Sequence, residues 1–98
     1  MIIFEQPKVQ KNISNKEPYV HVFKAWNNSN SVVRQTALTK GCSCTNLIAP
    51  IEIWPQEHFE VKMIIDKSGQ TGLYSVGAMI EYDDQSKIKL NLNGRLLD

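Results

Sequence analysis

Phe59-Glu60-Val61-Lys62-Met63-Ile64-Ile65 decides the fold class. Phe59, Val61, Met63 and Ile65 form one apolar face, with His58, Glu60 and Lys62 opposite. Successive side chains of an extended chain leave on opposite sides, so this rhythm marks a half-buried β-strand and not a helix. The same period recurs upstream, where Tyr19, His21, Phe23 and Ala25 alternate with Val20, Val22, Lys24 and Trp26. That run stops at Asn27-Asn28-Ser29-Asn30-Ser31, a loop by composition because Asn and Ser suit turn geometry.

Further strands follow outward from these two. Val32 to Leu38 is one, leading to Gly41 and a cysteine pair. Leu47 to Ile53 is apolar but interrupted by Pro50, which removes a backbone donor, so it reads as an edge segment or a crossing between sheets. Asp66-Lys67-Ser68-Gly69-Gln70-Thr71-Gly72 is a turn cluster, and Leu73 to Tyr82 is a long strand in which Gly77 marks a bulge or a close backbone approach. Asp83-Asp84 closes a hairpin. In the last strand Ile88, Leu90, Leu92 and Leu96 face one way, and Lys87, Lys89, Asn91 and Arg95 the other. Gly94 falls in the apolar register without a side chain to pack. Before Tyr19, Val9 and Ile13 give only a short opening strand of weak register. About seven strands with turn signals every 8–12 residues are the signature of an all-β, antiparallel sandwich.

Composition sets the outer bounds. Ninety-eight residues fit one domain, and a 42% hydrophobic share suffices for one core. Eleven basic against ten acidic residues give a net charge of +1, which argues against nucleic-acid or anionic-membrane binding driven by bulk charge. No run approaches the roughly 20 apolar residues needed to span a bilayer. Met1-Ile2-Ile3-Phe4-Glu5-Gln6-Pro7 has three apolar residues, then a charge and a proline, unlike a secretory leader. The expectation is a cytoplasmic or virion location in preference to secretion.

Cys42 and Cys44 are the only cysteines. A disulfide framework normally uses four or more, and a bridge between these two closes a very short ring, so the pair reads as two thiols. On an extended backbone both sulfurs would face one side, where two thiolates suit copper(I); structural zinc wants four ligands. The bland alternative is a turn in which two small thiols pack against the sandwich. A redox pair would more usually be Cys-x-x-Cys at a helix start, and no helix is expected here. His21 reads as packing or surface, and His58 as solvated beside Glu57 and Glu60. Glu81, Asp83 and Asp84 fall short of a calcium loop, and turn chemistry explains the aspartates. Lys87, Lys89 and Arg95 make a stripe that meets an acidic partner or, more simply, charges a sheet edge against aggregation. Trp26 and Trp54, both next to turn signals, are candidate interface anchors.

The middle of the chain resembles a known family. Phe23 ahead of Asn27 and Asn28, Cys42-Ser43-Cys44-Thr45, Pro50, Ile53, Pro55-Gln56-Glu57, Gly72 and Gly94 are similar to the pattern of the bacterial DUF1573 domains. Those domains are related to the Ig-like ASPM/SPD-2/Hydin modules. Ser43 and Gln56 stand where that family has glycine. The resemblance implies a single Ig-like β-sandwich over residues 12–98, and residues 1–11, outside it, read as an N-terminal arm or first edge strand. That family has no assigned enzymatic chemistry, and no cofactor is expected.

The functional expectation is a non-catalytic module working by protein–protein contact, as a subunit of a larger assembly such as a phage virion. Sandwich edges bind partners by strand addition, and the Met1–Pro7 arm would insert Ile2, Ile3 and Phe4 into a neighbour. The alternatives are a thiol-dependent copper or redox carrier using Cys42 and Cys44, and an exported cell-surface Ig-like domain.

Overall fold

Every strand with an alternating pattern must hide its apolar face, and two facing sheets do this for each other. The computed structural model describes residues 1–97. It contains β1 (Ile2–Phe4), β2 (Lys8–Gln10), β3 (Ile13–Ser14), β4 (Tyr19–Asn27), β5 (Val33–Lys40), β6 (Thr45–Ile48), β7 (Glu52–Ile53), β8 (His58–Ile65), β9 (Gly72–Tyr82) and β10 (Lys87–Leu97). One sheet has four strands in the order β1-β4-β8-β6. The other has six, ordered β2-β10-β9-β5-β7, with β3 also paired to β10. This is an Ig-like β-sandwich.

The alternation of β8 is obeyed residue by residue. Val61, Met63 and Ile65 are buried, Phe59 is half-buried, and His58, Glu60 and Lys62 are exposed. Against them, across the sandwich, the other sheet supplies Val33, Ile53, Val76, Ile80, Leu90 and Leu92, all fully buried. Each such side chain contributes about 1.5–3 kcal/mol by leaving water. β4 keeps an unbroken antiparallel register with β8 from Tyr19↔Ile65 to Trp26↔His58.

Pro50 sits where the chain changes sheets. β6 before it is an edge of the four-stranded sheet, and β7 after it is an edge of the six-stranded one. The position is therefore both an edge and a crossing. Gly77 marks a close approach rather than a bulge: a Cβ there would stand 3.3 Å from the Leu90 carbonyl oxygen. The bulge lies on the neighbouring strand, between Gln35 and Ala37.

Three expectations need correction. The pairing is not wholly antiparallel, because β2 and β3 run parallel to β10. The chain leaves β4 after β1, crosses at Glu5–Pro7, and continues in the same direction along the opposite sheet. Residues 1–7 are not a free arm, since Ile2 and Phe4 are buried in the chain's own core. Ile3 is half-buried and paired with Trp26. Finally, only part of the Lys87, Lys89 and Arg95 stripe lies on an edge: β2 covers β10 at Asn91–Asn93 and β3 at Leu96–Leu97, which leaves Lys87 and Lys89 paired with β9 alone. Lys87 forms an ion pair with Glu81 at 3.2 Å.

Gly94 allows the parallel seam to close. A Cβ there would collide with the Lys11 carbonyl oxygen. That same carbonyl accepts the hydroxyl hydrogen of Tyr74, while the Lys11 N–H donates to Asn93 at 2.7 Å. The gap in the apolar register is thus the space through which the opening segment docks.

Candidate functional site

Cys42 and Cys44 lie in the turn that carries the chain from β5 in one sheet to β6 in the other. They form a disulfide, with Cα atoms 5.2 Å apart. This overturns the reading of two free thiols, and with it the copper(I) site, since a disulfide offers no thiolate. The physical reason is that Ser43 and Cys44 turn instead of extending. The turn brings the two Cα atoms within the ordinary range for a bridge. Cys42 Sγ also accepts the Cys44 N–H at 3.2 Å, and both residues are half-buried against the core.

The end of the sandwich where β4 stops is organised around Asn27, which has no exposed surface. Its amide nitrogen donates to the carbonyls of Ser31 at 2.8 Å, Ile53 at 3.3 Å and Trp54 at 3.1 Å. Its side-chain oxygen accepts the Ser29 hydroxyl at 2.7 Å. The backbone joins in, with Asn27 N–H donating to Glu57 and Gln56 N–H donating to the Asn27 carbonyl. Gln56 adopts a positive φ of 62° in this turn. A buried amide fully satisfied in this way fixes the loop at 28–32 to the turn at 54–57.

Around that knot stand the two tryptophans. Trp54 is exposed, and Trp26 is half-buried with its ring stacked on His58 at 5.4 Å between centroids. Glu5, Lys24, Ala25, Trp26, Phe59 and Glu60 join His58 around a shallow hollow of about 520 Å³. Ile2 and Phe4, expected in an interface, belong to the interior, so only Trp54 of the expected anchors is broadly accessible.

The titratable groups serve local structure. Burial holds the His21 imidazole below its usual range, and the charge of Lys11 adds to this. Burial pushes the Tyr82 phenol well above its usual range, with Asp84 adding to it. Hydrogen bonds from Ser68, side chain first and then backbone, hold the Asp66 carboxyl low. Asp83 accepts the Arg34 N–H at 3.0 Å, which ties the hairpin tip to β5, and Asp84 accepts the Ser86 N–H at 2.9 Å within the turn.

One feature escaped the reading of the sequence. Val20 and Val22 on β4 face outward and are exposed, beside a stretch of strand edge that β1 does not cover. The available signal was two valines on the solvent side of an alternating strand, where polar residues are the rule.

No protein-family model matches the sequence, and no curated protein matches it either. Solved structures do match in fold. A protein of unknown function from Porphyromonas gingivalis superposes with a TM-score of 0.80 at 11% identity, over 97% of this chain and 46% of that one. The chain thus spans about half the length of that protein. The ASH/PapD-like domain 7 of human CEP192 gives 0.76 at 10% identity, over 99% and 85%. The periplasmic chaperone SfaE gives 0.65 at 12% identity, over 100% and 58%. The same sandwich also forms 31% of a protease and 19% of a xyloglucanase. At these identities the likeness is one of fold, and it places the chain among PapD-like and ASH-type Ig-like domains in shape. Among the described residues no helix is long and apolar enough to cross a membrane.

Proposed function

We propose that this chain is a non-catalytic, protein-binding Ig-like module that works through its strand edges within a larger assembly, of which a phage virion is the instance the sequence reading favours. The observation that carries this is apolar surface left in water on a tightly closed scaffold. Val20, Val22, Ile48, Ile51, Trp54 and Leu73 are all exposed although eighteen other apolar residues are buried in one core. Single exposed apolar groups are ordinary, but adjoining ones mark partner surfaces, and Val20 and Val22 share one face of β4. The shape shared with a periplasmic chaperone supports the reading, since a chaperone acts on other proteins.

Photo-crosslinking tests it. A photoreactive amino acid at Val20, at Trp54 or at Leu73, in cells that make the protein naturally, should yield a discrete protein adduct from at least one position. Absence of any protein adduct from all three would overturn the reading.

The Cys42–Cys44 bond favours a second statement about setting. Disulfides persist on virions, on cell surfaces and in the periplasm, and are rare in a reducing cytosol. We infer that the module works in an oxidising environment, as an exported domain or an exposed virion part. Acid quenching followed by maleimide labelling should leave both cysteines unmodified in material taken from its working location, and labelling of both would refute the inference.

A further inference from the structure

Sheet edges present unpaired N–H and C=O groups, and folded proteins blunt them with bulges, charges, proline or short length. Most edges of this sandwich are treated in that way. On β6 the outward N–H groups belong to Thr45 and Leu47, and these are already taken by the Cys42 carbonyl at 3.2 Å and the Asn46 side chain at 3.1 Å. β7 has two residues and is crossed by the Arg34–Glu52 ion pair at 2.9 Å. Beyond β7, the edge of β5 carries the bulge at Gln35–Ala37 and the charge of Lys40. β2 has three residues, follows Pro7 and begins with Lys8.

β4 is different. β1 pairs only with Ala25–Asn27, and its last bond runs from Glu5 N–H to the Lys24 carbonyl at 3.0 Å. In an antiparallel strand the N–H and C=O of one residue share a side, and the side alternates along the chain. Because Lys24 points toward β1, Val22 and Val20 point the same way, past the place where β1 turns off. Together they offer two donors and two acceptors on a stretch with no proline, bulge or register shift against β8. Their side chains are 37% and 49% exposed. A hollow of about 210 Å³ lined by Glu5, Gln6, His21, Val22, Phe23 and Lys24 adjoins them, with room for a side chain of an incoming strand.

We propose that the edge of β4 at Val20 and Val22 docks an extended, acidic segment of another protein, running antiparallel to β4 in line with β1. This rests on the protein-binding reading above and names its site. Charge selects the occupant. Lys62 lies opposite Val22, Lys24 lies two residues on, and the Lys11 ammonium sits 5.3 Å over the Tyr19 ring. None of the three lysines is in an ion pair among the described residues. Glu5 and Glu60 stand toward the β1 end of this stretch, and at the Tyr19 end Lys11, Lys16 and Lys67 outnumber Glu17 and Asp66. Flanking carboxylates on the incoming strand therefore gain at the Tyr19 end, whereas a second copy of this chain would set lysines against lysines.

The test is an NMR titration of the isotope-labelled full chain with a short blocked peptide in which valine and threonine alternate between terminal glutamates. Amide shifts should concentrate at residues 19–24, and a lysine-ended peptide of the same pattern should bind about tenfold or more weakly. Val22→Pro removes one outward donor without touching the β8 ladder and should weaken binding by about the same factor. If that variant fails to fold, Val20→Lys combined with Val22→Lys, both at exposed positions, is expected to have the same effect. Shifts confined to Lys8–Gln10 or Leu38–Lys40 overturn this site while leaving the binding module standing. Failure of residues 19–24 to respond at millimolar peptide, equal binding of both peptides, or self-association through these amides also overturns it.

Discussion

Two places hold the crossings of this sandwich in opposite ways. At Asn27 a buried side chain ties together segments some 27 residues apart using only hydrogen bonds. At Cys42–Cys44 a covalent bond joins residues two apart. The covalent bond is far stronger, yet it removes little freedom from an unfolded chain, because so short a loop is nearly closed already. Chain-entropy arithmetic gives it about 1–2 kcal/mol. The amide, once removed, leaves several buried carbonyls facing nothing. Stability follows what a contact prevents the chain from doing, and the weaker bonds prevent more.

The sharpest way to break that comparison is Asn27→Ala. It should cost about 2–4 kcal/mol, because the carbonyls of Ser31, Ile53 and Trp54 lose their donor while staying out of water. Urea unfolding with an unchanged m-value would measure it, and a loss near zero would show the knot to be ornamental. Tyr74→Phe comes next, at about 1 kcal/mol, because it deletes the hydroxyl that donates to Lys11 across the parallel seam and keeps the ring. The double change Cys42→Ser with Cys44→Ser should cost no more than about 1–2 kcal/mol, leaving the circular dichroism spectrum intact. If the cysteine variant proves less stable than Asn27→Ala, the comparison is reversed.

The same contrast explains what was readable in the sequence. β4, β8 and β10 were legible because period two is a local property, visible in any few consecutive residues. Pro50 was legible for the same reason, since a missing N–H excludes a central strand wherever it falls. The role of Asn27 was not, because turn composition says only that a loop begins and not that its amide reaches residues 53 and 54. Ile2 and Phe4 failed similarly: three apolar residues before a charge and a proline look the same whether they enter a neighbour or their own core. For Cys42 and Cys44 the two-thiol reading rests on the short ring and the copper(I) site on an extended backbone, and one tight turn reverses both. Gly94 was seen as a gap without the reason, which lies in Lys11, far upstream.

The smallest expected effect concerns His21, at the uncovered part of β4. Its ring packs edge-on against Phe23 at 4.6 Å between centroids, and its Nδ1 pairs with the Tyr19 hydroxyl at 3.3 Å. Burial first, and the Lys11 charge second, disfavour the imidazolium in the folded chain. An unfolded chain has neither constraint, so it binds the proton more readily as pH falls below about 6.5. The folded state is therefore at full advantage above that value and loses it progressively as pH drops through the lowered folded pKa. Melting temperature should fall between about pH 7 and pH 5 by more in the natural chain than in His21→Gln, which cannot take up the proton. An identical pH response in both chains would show that the ring is as free at this edge as in water, and that the edge shields nothing.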